Sequence, residues 1–150
     1  MNAMLAGGRE SLPGTGLEKA GAMDERRVRI EANGIVVMAS LNTSDTAEAL
    51  WRRLPVSGRV QTWGDEIYFS IPVSVAEAAD AHATVAKGAV AYWPPGRALC
   101  LFWGPTPMSS GDEIRPASPV NVVGEIAGDP EALAGMPDGV KITVSRAEPD

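Results

Sequence analysis

One cysteine and one histidine in 150 residues leave little for the chemistry on which many small enzymes rely. A lone thiol excludes an internal disulfide, and without a second thiol or a histidine cluster there is no ligand set for zinc. The reducing cytosol is therefore the expected compartment. No apolar run nears the roughly 18 residues of a spanning helix, and the start lacks the basic-then-apolar secretory pattern. Positive charge is also short. Thirteen Lys and Arg against 19 Asp and Glu give a net charge of −6, which opposes binding to nucleic acid or an anionic membrane surface. A Ser/His/Asp grouping cannot be built from a single histidine, and no glycine-rich stretch has the strand-before, helix-after setting of a phosphate loop. No cofactor and no metal are expected.

What is present is a regular series of short alternating segments. The length suits one domain, burying roughly 68–70% of its unfolded surface. Residues 1–24 are rich in Gly, Ala, Ser and Pro with no useful apolar period, and read as a disordered leader. Met23 is a possible true start within it. The expected folded domain is 25–147, with 148–150 as a tail.

From Arg27, Val28, Ile30 and Ala32 alternate with charged residues, as a half-buried strand requires. Asn33-Gly34 then supplies the two positive φ angles of a tight hairpin into an apolar run over 35–41. Asp45 and Glu48 have capping-box spacing, and Ala47, Leu50, Trp51 and Leu54 fall on one helical face. The pattern predicts a helix beginning near Thr46 and stopped by Pro55. Further strands are predicted over 59–63 and 66–71, then an irregular Ala-rich connector over 74–85. Two more strands are expected at 120–126 and 140–146, with a capped turn of helix over 129–134 between them.

The most distinctive stretch is 92–115, YWPPGRALCLFWGPTPMSSGDEIR. Pro94-Pro95-Gly96-Arg97 joins two apolar runs as turn chemistry joins a hairpin, and a proline-rich loop follows. About eight strands with one convincing helix predict a mostly β fold, a closed antiparallel eight-stranded barrel with one or two short helices. An internal echo, GDEIYFSIPV at 64–73 and GDEIRPASPV at 111–120, reads as the same turn geometry used twice. Its alternative, a pair of acidic sites for a cation or for acid–base work, needs each carboxylate pair to lie in a turn.

IEANGIVVMASLNTSDTAEALWRRL at 30–54 resembles the opening of cyclophilins, and VNVVGEIAGDPEA at 120–132 resembles their late strand and short helix. The middle, with GDEIYFSIPV, AYWPPGRALCLFWGPTP and GDEIRPASPVNVVG, is similar to small bacterial and archaeal cyclophilin-like proteins of unassigned biochemical role, over about 26–146. The resemblance implies the cyclophilin-like barrel that the strand tally reaches independently. It does not imply isomerase activity. Prolyl isomerases of this fold carry an arginine on a strand, then a phenylalanine, a Gln-Gly-Gly run, a tryptophan and a histidine. Here the matching strand, Arg59-Val60-Gln61-Thr62-Trp63, has no such run, which leaves Arg59 as a weak catalytic candidate.

Cys100 inside ALCLF reads as inert core, and His82 between alanines as a solvated side chain. The candidate ligand-binding residues are Tyr92, Trp93, Arg97, Trp103, Glu113 and Arg115. Aromatics at strand ends can floor a pocket, Arg97 offers a fork suited to a carboxylate, and Glu113 and Arg115 close the loop. The expected function is binding of a small anionic molecule or an extended peptide without chemistry. A prolyl isomerase with a reduced site, or an accessory subunit of an amide-hydrolysing system such as those processing oxoproline or allophanate, are the alternatives. The expected partner is a small molecule or peptide, with homo-oligomerisation left open.

Overall fold

Alternation of burial along each strand divides this chain into an inside and an outside. The computed structural model describes residues 26–147, so the leader and the tail lie outside the described residues. In β1 (Arg26–Ala32), Val28, Ile30 and Ala32 are buried while the intervening charges face out. Asn33 and Gly34, at φ 52° and 79°, turn the chain into β2 (Ile35–Leu41), which pairs antiparallel with β1 along its whole length. The hairpin forms as its turn dipeptide dictates.

Helix α1 (Asp45–Arg53) starts one residue before the expected Thr46, and its N-cap is Ser44 rather than Asp45. Ser44 Oγ accepts from the Ala47 amide at 3.2 Å, so Glu48 is free to pair instead with Arg26 and Arg52. Trp51 is only half-buried. Its ring lies 4.4 Å from the Arg146 guanidinium and 5.6 Å from that of Arg26, which seals the helix against β1 and the final strand.

After Pro55 the expected strand at 59–63 is broken in two, which gives nine strands instead of eight. These are β3 (Val56–Arg59) and β4 (Gln61–Thr62), followed by β5 (Glu66–Ser70), β6 (Ala89–Trp93), β7 (Ala98–Phe102), β8 (Asn121–Ala127) and β9 (Lys141–Arg146). They form one antiparallel sheet in the order β3-β9-β1-β2-β8-β6-β7-β5-β4. The two ends of that order are consecutive in the chain. Val60 stands between them, its amide bonded to Val140 O at 2.9 Å and its carbonyl to the Gly139 amide at 2.8 Å. The chain thus leaves β9 and joins β5 within one residue, and this step closes the barrel.

Ile30, Phe69, Tyr92, Leu99, Leu101 and Val144 belong to the cluster that fills the interior. The β6–β7 hairpin is unusual because it is buried on both faces, so AVAYW and ALCLF read as continuous apolar runs rather than as alternating ones. Its outer face carries a second cluster, including Ala91, Cys100, Phe102, Ile114 and Val120, under a cover formed by the connector and the proline-rich loop. Antiparallel bridges His82–Val120 and Val85–Ile114 tie the two covering segments together. Among the described residues, no helix is long and apolar enough to cross a membrane.

Candidate functional site

The cover over the outer face does not reach everywhere. It leaves a cavity of about 100 Å³ with Glu66 and Cys100 in its lining. Trp63, Tyr68 and Trp93 supply aromatic walls, and Pro116, Ala117 and Val120 of the covering loop close the remaining side. Register explains the grouping. Tyr68 pairs with Cys100, Cys100 with Ala91, and Glu66 with Phe102, so these side chains share the outer face of three neighbouring strands. The small Cys100 side chain lies in that row, and larger neighbours rim the depression over it.

The rim is fixed by contacts within the protein. Trp93 Nε1 donates to Ser118 Oγ at 2.7 Å, joining the hairpin to the loop. The loop is pinned through Thr106, whose amide donates to Ser109 Oγ at 2.9 Å and whose hydroxyl donates to the Arg115 carbonyl. The Arg115 amide donates to the same Ser109 Oγ at 2.9 Å. At the β4–β5 turn, Gly64 has φ +63°, and a Cβ there would lie 2.9 Å from Pro107 Cδ and from Thr106 Cα. A residue without a side chain is what lets this turn press against the loop.

Glu66 is the unusual member. It is 4% exposed, and its Oε1 finds no hydrogen-bond partner among the described residues. Burial pushes its carboxyl up to about 7, against a smaller opposing effect from the neighbouring Cys100 thiol. Burial, with the adjacent Glu66, also holds the Cys100 thiol well above its ordinary range. Cys100 is therefore a protonated core thiol rather than a nucleophile.

Of the six residues that the sequence offers for ligand binding, Trp93 alone is among the lining of this pocket. Tyr92 points into the barrel, where its hydroxyl donates to Val73 O at 2.6 Å and accepts from the Val75 amide at 3.2 Å. Trp103 also packs in the inner cluster, 8% exposed. Arg97 is exposed at the end of the 3-10 turn Pro94–Gly96, with φ 47°, and is not among the lining residues. Glu113 and Arg115 pair with each other at 2.8 Å, and each shifts the other toward its charged form. Arg59 donates to Gly139 O at 3.3 Å beside β9 and is likewise outside the pocket lining. Sequence reasoning does not single out Trp63 and Tyr68, and it sets Glu66 aside as turn chemistry in the internal echo, because alternation in the GDEIYF run assigns Glu66 and Tyr68 to a wet face.

A larger groove of about 740 Å³ runs between the start of α1 and the connector, with His82 and Asn121 among its lining. Asn121 is fully engaged there. It donates to Thr46 Oγ1 and Ala76 O and accepts from the Ala78 amide, so it staples the connector to the barrel. Gly64 and Gly111 have φ +63° and +62°, so the internal echo does repeat a turn geometry. Among the described residues, no cluster of three or more His, Cys, Asp or Glu is arranged for a metal ion.

A closed antiparallel barrel with a pocket on its covered outer face defines a cyclophilin-like protein. The Cyclophilin-like family model matches residues 26–145, and the chain belongs to that family. Among solved structures, it is similar to the hypothetical protein AF2241 from Archaeoglobus fulgidus, with 41% identity and a TM-score of 0.72 over 82% of this chain and 95% of that one. It also shares its fold with McbB, solved in complex with tryptophan, at 20% identity and a TM-score of 0.62. That match covers 82% of this chain but only 46% of McbB. No curated protein matches the chain.

Proposed function

We propose that the chain is a binding protein whose ligand, a small molecule or one side chain of an extended peptide, seats in the outer-face pocket. The observation that carries this reading is three half-buried aromatic side chains gathered around one buried carboxyl in an open cavity. Pockets of that composition bind by apolar contact and use the few polar groups to orient the ligand. Because the Ser118 and Thr106 contacts hold the walls in place, little ordering entropy is lost on binding. Cys100, with its thiol held protonated, suits the floor of a binding site better than a nucleophilic role. The charged group at this site is a carboxyl, which disfavours the anionic ligand that Arg97 suggested.

The test is titration of metabolite and peptide libraries followed by tryptophan fluorescence and thermal shift. Trp93→Ala should abolish binding and Arg97→Ala should leave it intact. Binding that survives Trp93→Ala but is lost in Arg97→Ala would move the site to the turn and overturn the proposal.

A further inference from the structure

Three properties of the pocket restrict what can fill it. Oε1 of Glu66 is a buried acceptor without a donor among the described residues, so a ligand with an N–H or O–H to give is favoured over one without. Trp63, Tyr68 and Trp93 present π systems, which attract positive charge. The volume of about 100 Å³ is below the roughly 150 Å³ of an apolar protein cavity that accepts benzene, so a head group enters and a ring system does not.

Resting on the binding role proposed above, we infer that the pocket takes a primary alkylammonium head. Its N–H groups donate to the Glu66 carboxyl that lines the pocket, and its charge and short stem lie among Trp63, Tyr68 and Trp93. Each competing chemistry fails one requirement. A carboxylate meets the ionised Glu66 carboxyl with like charge and no donor, and a phosphate meets it with like charge. A quaternary ammonium has the charge but no N–H. An alcohol has the donor but not the positive charge that the aromatic walls attract.

The groups that face Glu66 leave this assignment unopposed. Tyr68, on the same strand, donates its hydroxyl to Gln61 Oε1 at 3.3 Å, and Cys100 on β7 is a protonated thiol. β6 contributes Trp93, and the covering loop contributes Pro116, Ala117 and Val120, none of which titrates. Asp65, next in the chain, is exposed. With the Glu66 carboxyl pushed up to about 7, the free protein below that pH holds a proton the ammonium must displace. Affinity should therefore fall about tenfold per pH unit below 7 and level off above it.

A free amine and a lysine side chain on a peptide offer the same head. The experiment uses calorimetric titration of the full chain at pH 8 with n-butylamine, butyltrimethylammonium, n-butanol, butyrate and a capped peptide with one central lysine. Butylammonium or the lysine peptide should bind, and the stronger of the two identifies the source. The quaternary analogue should be at least tenfold weaker and butyrate inactive. Glu66→Gln should weaken the amine at least tenfold and remove its pH dependence. Butanol or butyrate binding as tightly as the amine would overturn the inference, as would an unchanged Glu66→Gln, and the ligand series on the unmutated chain stands however that variant folds. Library ligands that bind in a Trp93-dependent way while both amines fail would remove this inference and keep the binding role, and no binding by any ligand would remove both.

Discussion

Cys100 and Glu66 share the outer face of neighbouring strands β7 and β5, where they line one pocket, and Glu66 Oε1 has no hydrogen-bond partner among the described residues. Within the barrel scaffold this is an energetic liability, and it should be visible as a pH dependence of stability. The Glu66 carboxyl is raised from 4.5 to about 7, so between those values the native state holds a proton that the unfolded chain has released. Stability should then fall as pH rises through that window, by up to roughly 3 kcal/mol. Glu48 and Glu113, lowered by their arginines, act in the opposite sense, but only as pH falls through 4.5 and below. Denaturant unfolding at pH 5, 6, 7 and 8 should show the decline in the unmutated chain and a flat response in Glu66→Gln. A stability that climbs from pH 5 to 8 would show that the carboxyl is not desolvated.

Cys100 should be inert in the native protein. It is 2% exposed and its thiolate is disfavoured both by burial and by Glu66, so a disulfide reagent at pH 8 should label it only when denaturant is added. Cys100→Ser keeps a donor for Glu66, whereas Cys100→Ala removes it. The Glu66 titration, followed by carboxyl carbon chemical shift, should consequently lie higher in the alanine variant than in the serine variant. Equal titrations in the two would mean that a donor at position 100 does not hold the Glu66 carboxyl down.

The two glycines of the internal echo separate backbone strain from crowding. Gly64 and Gly111 share nearly the same φ, but a Cβ at Gly111 meets nothing within 4 Å, while one at Gly64 meets Pro107 and Thr106 at 2.9 Å. Gly111→Ala should cost about 1–2 kcal/mol from the left-handed backbone alone. Gly64→Ala should cost more than that and should also weaken ligand binding, because the loop that walls the pocket must shift. Equal costs would show that the loop yields freely.

The same turn shows why the barrel was legible in the sequence and the pocket was not. Asn33-Gly34 and the alternation of Val28, Ile30 and Ala32 are local signals, and local signals decide strands and hairpins. Glu66 gives the local signal of a wet residue: it precedes Ile67 and shares the phase of Tyr68 and Ser70, the exposed phase of an ordinary half-buried strand. It is buried only because residues 104–120, distant in sequence, fold back over that face. Cys100 carries no phase at all, since every residue of ALCLF is apolar. Tyr92 and Trp93 are neighbours on one strand and so face opposite sides, and which of them faces in is decided by the pairing with Leu99 and Ala98, which no local signal reveals. Arg97 drew attention by its sequence neighbours. Its φ of 47° and exposure instead mark it as the corner of a tight turn.

Tyr92 gives the sharpest separation between holding the fold and binding a ligand. It is 1% exposed, and its hydroxyl both donates to Val73 O and accepts from the Val75 amide. These bonds anchor the start of the Ala-rich connector, which has few other ties to the barrel beyond Asn121 and the His82 and Val85 bridges. Tyr92→Phe keeps the ring and removes both bonds, leaving a buried carbonyl and a part-buried amide unpaired, at an expected cost of about 1–3 kcal/mol. Tyr68→Phe is the control, because that hydroxyl makes a single longer bond to Gln61 on a half-exposed side chain and should cost under about 1 kcal/mol. Hydrogen exchange should locate the Tyr92→Phe loss in residues 74–85, with faster exchange at the Val75 and Ala78 amides. Ligand affinity should be close to unchanged, since Tyr92 faces the interior and the pocket lies on the other side of the strand. A variant that folds as stably as the parent but no longer binds would place Tyr92 in the site after all.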